Sequence, residues 1–224
     1  MIAVVIPAHN EAEFIAACID SVDTAARDPA LYRERVTVVV VADSCTDATA
    51  EIAAARGALT LSLNVRNVGE ARAAGASAAL AAGARWLAFT DADTLVAPDW
   101  LAAQLSHRAD AVCGTVEVAD WGAYGEPMRE HYASTYTDAE GHRHIHGANL
   151  GVSAEAYQRA GGFQPLRSSE DVALVNALLS SGASIAWSAT PRVVTSARRD
   201  FRAPDGFGAT LLRVDAEAAL KTLD

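Results

Sequence analysis

Basic residues are scarce in this 224-residue chain. Only 18 Lys and Arg stand against 28 Asp and Glu, which gives a net charge of -10. A surface that binds the phosphate backbone of nucleic acid needs clustered Lys and Arg. The sequence therefore predicts no nucleic-acid partner, whereas its acidic balance is compatible with a metal-dependent site.

Cysteines and long apolar runs are also few. Cys18, Cys45 and Cys113 are far apart and form no CxxC pair, so the sequence indicates neither a disulfide framework nor a zinc site and predicts reduced thiols. Met1 leads into IAVVIP without a basic region, and no apolar run approaches the roughly 18 residues that cross a bilayer. We expect a soluble cytoplasmic protein without a transmembrane segment, and peripheral membrane contact stays open.

Short β-branched runs alternate with Ala-rich helical stretches in the first half of the chain. The runs are IAVVI (2–6), VTVVVVA (36–42), LTLSL (59–63) and WLAFT (86–90). The stretches between them are long enough for crossover helices, which is typical of βαβ units. The pattern predicts an α/β fold in which helices flank a mostly parallel central sheet.

The second half has a looser pattern. It predicts helices over APDWLAAQL, SAEAYQRA and EDVALVNALLSSG, and strands over ADAVCGTVEV and ASIAWS. Residues 120–146 lack clear periodicity, which favours a functional loop or short irregular helices. No linker or repeat divides the chain, so we expect a single domain over residues 1–224.

Polar residues follow each of the first four predicted strands. The four segments are PAHNE (7–11), ADSCTDAT (42–49), NVRN (64–67) and DAD (91–93). Any one of them is explained by a turn or a helix cap. In parallel sheets, however, ligands bind beyond the carboxyl ends of the strands. Four polar strand ends on one rim therefore indicate a binding site.

Asp91 and Asp93 form a carboxylate pair directly after an apolar strand. In extended chain the two side chains point the same way, so they can share Mg²⁺ or Mn²⁺. Such a cation keeps coordination positions open for substrate phosphates. Asp93 as a simple helix cap is the alternative.

Six segments, in this order along the chain, resemble the motifs of the family 2 glycosyltransferases, which use nucleotide sugars and have the GT-A fold. The segments are VVIPAHNE, VVVADSCTDAT, NVGEARAAGASAAL, FTDADTLV, HGANLGVSAEAYQRAGGF and SSEDVALVNALLSSG. The resemblance implies a single Rossmann-like GT-A domain. About residues 1–95 would bind the nucleotide sugar, and about residues 96–224 the acceptor.

The resemblance also implies residue roles on the donor side. Pro7, Asn10 and Glu11 would line the nucleobase and ribose pocket. Asp43 would accept a hydrogen bond from the base, and Arg72 would lie near the nucleotide.

At the reaction centre the resemblance implies that Asp91 holds ribose or sugar hydroxyls and that Asp93 coordinates the metal bridging the diphosphate. Asp171 would take the proton of the acceptor hydroxyl in an inverting transfer. Its neighbour Glu170 diverges from it by about 100° on a helix, so only one of the two points squarely into the cleft. Favourable placement of acids at a helix N-terminus is the alternative and accounts for Glu170.

Histidines and arginines in the later part of the chain are further candidates. Of His142, His144 and His146, which alternate in GHRHIHGAN, we choose His146 as a metal or phosphate ligand; a solvated polar loop is the alternative. The Q-x-x-R-W segment frequent in the family is missing. We expect Arg198 and Arg199 to bind the donor diphosphate in its place.

The combined hypothesis is a metal-dependent glycosyltransferase that moves a sugar from a nucleoside-diphosphate sugar to the hydroxyl of an unknown acceptor. We favour a UDP-sugar as donor, with a GDP-sugar as the alternative, and Mn²⁺ or Mg²⁺ as the cofactor. Two other functions stay open. One is a catalytically inactive sugar-nucleotide-binding module, and the other is a GT-A-like nucleotidyltransferase, which would need a Gly-rich basic loop that PAHNE lacks.

Overall fold

The computed structural model describes residues 1–118, 121, 124 and 126–196. Its strands are β1 (Ile2–Ala8), β2 (Val36–Asp43), β3 (Leu59–Leu63), β4 (Trp86–Phe89), β5 (Leu95–Val96), β6 (Ala111–Gly114), β7 (Glu117–Val118), β8 (Leu150–Ser153), β9 (Ile185–Ser188) and β10 (Val193–Thr195). Its α-helices are α1 (Ile15–Ala25), α2 (Thr49–Ala55), α3 (Val68–Ala81), α4 (Trp100–Ser106), α5 (Glu126–Thr135), α6 (Ala154–Arg159) and α7 (Glu170–Ser180), with one 3-10 turn at Pro29–Leu31.

A seven-stranded sheet in the order β3-β2-β1-β4-β8-β6-β9 forms the centre of the fold. β1 pairs in parallel with β2 and β4, and β2 with β3; β6 pairs in parallel with β9. β8 lies antiparallel between β4 and β6. The prediction of a mostly parallel sheet flanked by helices is therefore confirmed, and the carboxyl ends of six strands share one edge.

Both faces of this sheet are covered by helices. The side chains of β1 alternate, so Ile2, Val4 and Ile6 pack on one side with α1, α2 and α4. Ala3 and Val5 pack on the other side with α3, α6 and α7. Burial on both faces is the reason that these strands read as continuous apolar runs in the sequence.

The short strands depart from the prediction. ADAVCGTVEV is two strands: β6 belongs to the main sheet, whereas β7 joins β5 and β10 in a separate three-stranded sheet. The strands β5, β8 and β10 were not predicted at all. They have two to four residues and lie outside the apolar runs from which the other strands were predicted.

Among the described residues of 120–146, α5 forms a helix of 10 residues. In the described part of the chain, no helix is both long and apolar enough to cross a membrane.

Candidate functional site

The loops after β1 and β2 are tied together at the carboxyl edge of the sheet. The backbone N–H of Thr46 donates to Asn10 Oδ1 at 2.8 Å, and the N–H of Glu11 donates to Thr49 Oγ1 at 2.8 Å. Asn10 has a φ of +55°, a left-handed conformation that Asn tolerates better than most residues. Pro7 lies in the same strand end, opposite Val41. The structure thus brings the predicted pocket residues of these two loops together.

Asp43, at the end of β2, holds the loop that follows β3. Its Oδ1 accepts the backbone N–H groups of Val65 at 2.8 Å and Arg66 at 3.0 Å, and its Oδ2 accepts that of Asn67 at 2.8 Å. Burial raises the pKa of the carboxyl group, but these donors outweigh it and the pKa lies below its ordinary value. Hydrogen bonding to a nucleobase remains a prediction for a carboxylate that already has these partners.

His9 and Arg66 lie beside Asp43 and were not singled out in the sequence. His9 Nδ1 donates to the backbone carbonyl of Asp43 at 2.7 Å, and Arg66 donates to His9 Nε2 at 3.2 Å. The signal was the position of His9 within PAHNE, at a strand end. The pairing with Arg66 is a long-range contact that sequence spacing does not reveal.

The DAD segment is a turn, so the expectation of extended chain was wrong. β4 ends at Phe89, and the N–H of Thr94 donates to the carbonyl of Asp91 at 3.1 Å. The Cys18 thiol donates to the same carbonyl at 3.3 Å. Burial raises the pKa of this thiol, and the negative charges of Asp91 and Asp93 raise it further. Both carboxylates therefore lie within electrostatic reach of one buried sulfur atom.

Arg72 is buried between two carboxylates. Its Nη2 lies 2.5 Å from Asp91 Oδ1, and its Nη1 pairs with Glu170 Oε1. The guanidinium also lies 5.9 Å from the ring centre of Phe163. Its Nε is buried and has no hydrogen-bond partner among the described residues. Arg72 is thus next to the predicted donor residue Asp91, and its two terminal nitrogens are engaged by protein carboxylates.

The start of α3 sets the position of Arg72. Asn67 caps this helix by accepting the N–H of Glu70 at 3.1 Å. A Cβ on Gly69 would lie 2.2 Å from the carbonyl oxygen of Gln164, so glycine is required for the close approach of the segment that precedes α7. This contact brings the first turns of α3 and α7 together.

Asp171 faces the segment that precedes β8. The N–H of Gly147 donates to Asp171 Oδ2 at 2.8 Å. Asp171 is half-buried, whereas its neighbour Glu170 is buried against Arg72. The two adjacent acids therefore have different environments, and Asp171 is the more accessible one.

The three histidines of GHRHIHGAN lie against one another. The ring centres of His142 and His144 are 5.5 Å apart, and those of His144 and His146 are 5.9 Å apart. Tyr136 stacks on His144 at 4.1 Å, and its hydroxyl group lies 3.0 Å from His146 Nε2. Tyr136 was missed in the sequence because residues 120–146 show no period.

His146 is a neutral imidazole near Asp91. Burial lowers its pKa to about 4, with help from His144 and His142, while the negative charge of Asp91 acts in the opposite direction. A neutral imidazole has the protonation state of a metal ligand. Ligation through Nε2 would, however, have to displace the hydroxyl group of Tyr136.

The chemistry of these side chains fits a hard divalent cation that is only partly held by protein. In the ranges that the structure describes, no three His, Cys, Asp or Glu side chains form a group that could hold a metal ion. The carboxylates of the DAD turn are the ligand type that Mg²⁺ and Mn²⁺ prefer, and a cation on so few protein ligands is completed by water and phosphate oxygens. The predicted diphosphate ligands Arg198 and Arg199 lie outside the described residues.

One curated protein resembles part of the chain in sequence, and several solved structures resemble most of the chain in fold. A 70-residue stretch is 44% identical to the low-salt glycan biosynthesis hexosyltransferase Agl6 of Haloferax volcanii, which is 31% of this chain and 16% of that protein. The structure resembles S. aureus TarS 1–349 in complex with UDP-GlcNAc, with a TM-score of 0.66 and 17% identity over 96% of this chain and 65% of that one.

Two further solved structures share the fold. The mannosyltransferase PcManGT from Pyrobaculum calidifontis, in complex with GDP-Man and Mn²⁺, has a TM-score of 0.68 and 20% identity over 89% of this chain and 57% of that one. Glucosyl-3-phosphoglycerate synthase from Mycobacterium tuberculosis was solved in complex with Mn²⁺, UDP-Glc and phosphoglyceric acid. It has a TM-score of 0.64 and 20% identity over 96% of this chain and 80% of that one.

The family comparison covers most of the chain. Residues 3–163, which include the four polar strand ends and Gly147, match the sequence profile of glycosyl transferase family 2. The chain belongs to this family.

Proposed function

We propose that the chain transfers a sugar from a nucleoside-diphosphate sugar to an acceptor hydroxyl group, with inversion and with a divalent cation. The observation that carries the proposal is the Arg72 contact: one buried guanidinium joins Asp91, on the donor side, to Glu170, the neighbour of the candidate base Asp171. This contact supports the proposal, because a donor-binding Asp91 and a base at Asp171 would then lie on either side of one arginine.

On the donor side, residues 1–95 would bind the nucleotide sugar. Pro7, Asn10 and Glu11 would line the pocket for base and ribose, and Asp43 would accept a hydrogen bond from the base. A UDP-sugar is favoured, since TarS and the phosphoglycerate synthase were solved with UDP-sugars. A GDP-sugar is the alternative, as in the mannosyltransferase complex.

Asp93, with His146 as the second candidate, would hold Mn²⁺ or Mg²⁺. When bound, the cation stabilises the negative charge that develops on the departing nucleoside diphosphate. Asp91 would orient sugar or ribose hydroxyl groups, and Arg72 would act near the nucleotide by holding Asp91. Arg198 and Arg199 would add positive charge at the diphosphate.

Asp171 would serve as the base on the acceptor side, formed by residues 96–224. Its carboxylate would take the proton from the acceptor hydroxyl as that oxygen bonds to the anomeric carbon and the bond from carbon to the diphosphate oxygen breaks. The Gly147 N–H on Oδ2 holds the carboxylate in one orientation. A positioned base of this kind contributes about 10²- to 10⁴-fold to the rate.

The net charge and the cysteines bear on the partners of the protein and on its cellular compartment. We propose no nucleic-acid partner, because the net charge is -10. Cys18, Cys45 and Cys113 are free thiols, which suits the reducing cytoplasm.

Product analysis tests the proposal. Wild-type protein is incubated with UDP-glucose, UDP-GlcNAc or GDP-mannose and Mn²⁺, and water serves as the acceptor when no other is present. The released nucleotides are then separated and identified. We expect slow release of a nucleoside diphosphate, which EDTA abolishes and Asp171→Asn reduces by about 10²-fold or more. Pyrophosphate release would instead identify a nucleotidyltransferase, and donor binding without turnover, when sugar hydroxyl acceptors are supplied as well as water, would identify an inactive module; either result contradicts the proposal.

A further inference from the structure

The ion pairs of Arg72 are buried to very different degrees. The side chains of Arg72 and Glu170 are 4% and 5% exposed, whereas that of Asp91 is 38% exposed. A buried charge is costly unless it is paired, so the Arg72–Glu170 pair has to stay together once the chain is folded. Glu170 is therefore fixed, and Asp91 is the partner that can also face a ligand.

The same guanidinium supports the backbone that contacts Asp171. A Cβ on Gly147 would lie 2.4 Å from Arg72 Cζ, so the Gly147 backbone rests directly on the guanidinium plane. The N–H of Gly147 then donates to Asp171 Oδ2 at 2.8 Å, and the N–H of Val172 donates to Asp171 Oδ1 at 2.8 Å. The carboxylate of Asp171 has one amide on each oxygen.

We infer that Arg72 and Glu170 are positioning residues that set the orientation of the Asp171 carboxylate. Glu170 and Asp171 are consecutive residues in the first turn of α7. Anchoring Glu170 on Arg72 fixes the rotation of this turn, so Asp171 is directed about 100° away, toward Gly147. Arg72 supports both contacts of this arrangement, one through Glu170 and one through Gly147.

Arginine is specifically suited to this position. Its planar fork offers two terminal nitrogens in fixed directions, which here contact two carboxylates on different elements. Lysine carries a single point charge and cannot hold both carboxylates and the flat Gly147 backbone at once. The effect on catalysis rests on the proposed function, in which Asp171 is the base, whereas the positioning itself does not.

The positioning is tested without turnover by the amide signal of Gly147. Glycine-selective ¹⁵N labelling leaves 15 glycines to resolve. In Asp171→Asn this signal should move upfield, because the charged acceptor is lost. In Glu170→Gln and Arg72→Lys it should move in the same direction, since Asp171 turns away from Gly147.

The matched control is Glu155→Gln, which removes an exposed carboxylate paired with Arg159 at 3.0 Å on α6. It should leave the Gly147 signal unchanged. If the signal also stays unchanged in Glu170→Gln and Arg72→Lys while both variants remain folded, the inference is wrong. Two variants are used because either one alone could lose stability.

Kinetics provide the second readout, with release of nucleoside diphosphate from the sugar nucleotide that wild type turns over. A misplacement of about 1 Å costs about 10²-fold, so Glu170→Gln should lower kcat by that order and leave KM for the donor nearly unchanged. The double variant Glu170→Gln/Asp171→Asn should be no slower than Asp171→Asn alone, because Glu170 acts through Asp171.

Multiplied losses in the double variant would show that Glu170 acts independently and would overturn the inference. The two readouts also separate the failures. If wild type turns over no sugar nucleotide, the proposed function fails, and the Gly147 amide still decides whether Arg72 and Glu170 position Asp171.

Discussion

Protonation of His146 is expected to destabilise the fold below neutral pH. Its pKa falls from an ordinary 6.5 to about 4 because the half-buried ring is largely shielded from water, and because His144 and His142 repel its positive form. The unfolded chain therefore binds more protons than the folded one between about pH 6.5 and 4. Stability contributed by the neutral ring is complete above pH 6.5 and is lost as the pH falls toward 4.

The magnitude follows from the size of the pKa change. Each unit is worth 1.36 kcal/mol, so the full loss is about 3 kcal/mol. The assay is urea unfolding at several pH values from 7.5 to about 4.5, for wild type and His146→Gln. We expect the free energy of unfolding to decline more steeply with falling pH for wild type. His144, whose pKa is also lowered, contributes the same pH dependence in both proteins.

Replacing the exposed His131 on α5 by Gln is the matched control. This variant should show the wild-type slope of the free energy of unfolding against pH. Equal slopes for wild type and His146→Gln would refute the reasoning, because they would mean that His146 titrates alike in the folded and unfolded chain.

Three more predictions concern the packing of Gly147, the carboxylate at the end of β2 and the thiols. Gly147→Ala places a Cβ 2.4 Å from Arg72 Cζ and should destabilise the protein by about 1–3 kcal/mol in urea unfolding; an unchanged midpoint would contradict this contact. Asp43→Asn leaves a backbone N–H without its carboxylate acceptor and should cost about 1–3 kcal/mol, whereas the exposed Asp20→Asn should cost far less. With a thiol reagent at pH 8, the folded protein should react mainly at the half-buried Cys45, because the other two thiols are buried; rapid reaction of all three thiols would be evidence against this packing.

The two longest strands of the central sheet, β1 and β2, could be predicted because they are long, continuous apolar runs. β1 and β2 have seven and eight residues, and the Ala-rich crossover helices between strands leave few other topologies. β8, by contrast, has four residues and is antiparallel to both of its neighbours, β4 and β6. Its antiparallel direction depends on the connections before and after it, which local pattern does not contain.

The structure brings several of the predicted site residues close together, through contacts that the sequence did not predict. Asp91 and Asp171 were identified from strand-end position and motif resemblance, and the structure brings both to one cluster. That Arg72 joins Asp91 to Glu170 could not be read from the sequence, since the two ion pairs span 19 and 98 positions. Spacing likewise predicted extended chain at DAD, where the carbonyl of Asp91 instead closes a turn.

The most direct test of the account is the thermal stability of the protein with nucleoside diphosphates. UDP, GDP, dTDP and CDP are each added with Mn²⁺, Mg²⁺ or EDTA to wild type, to Asp93→Ala and to the exposed control Asp99→Ala. A ligand at 100 times its Kd stabilises the folded state by about 2.7 kcal/mol.

We expect one nucleotide, UDP in the first place, to raise the Tm of wild type and Asp99→Ala by several degrees only with metal, and Asp93→Ala to lose this shift. A well-folded wild type that no nucleotide stabilises with either metal, or an Asp93→Ala variant that keeps the full shift, would contradict the claim that the DAD turn holds a metal–nucleotide complex.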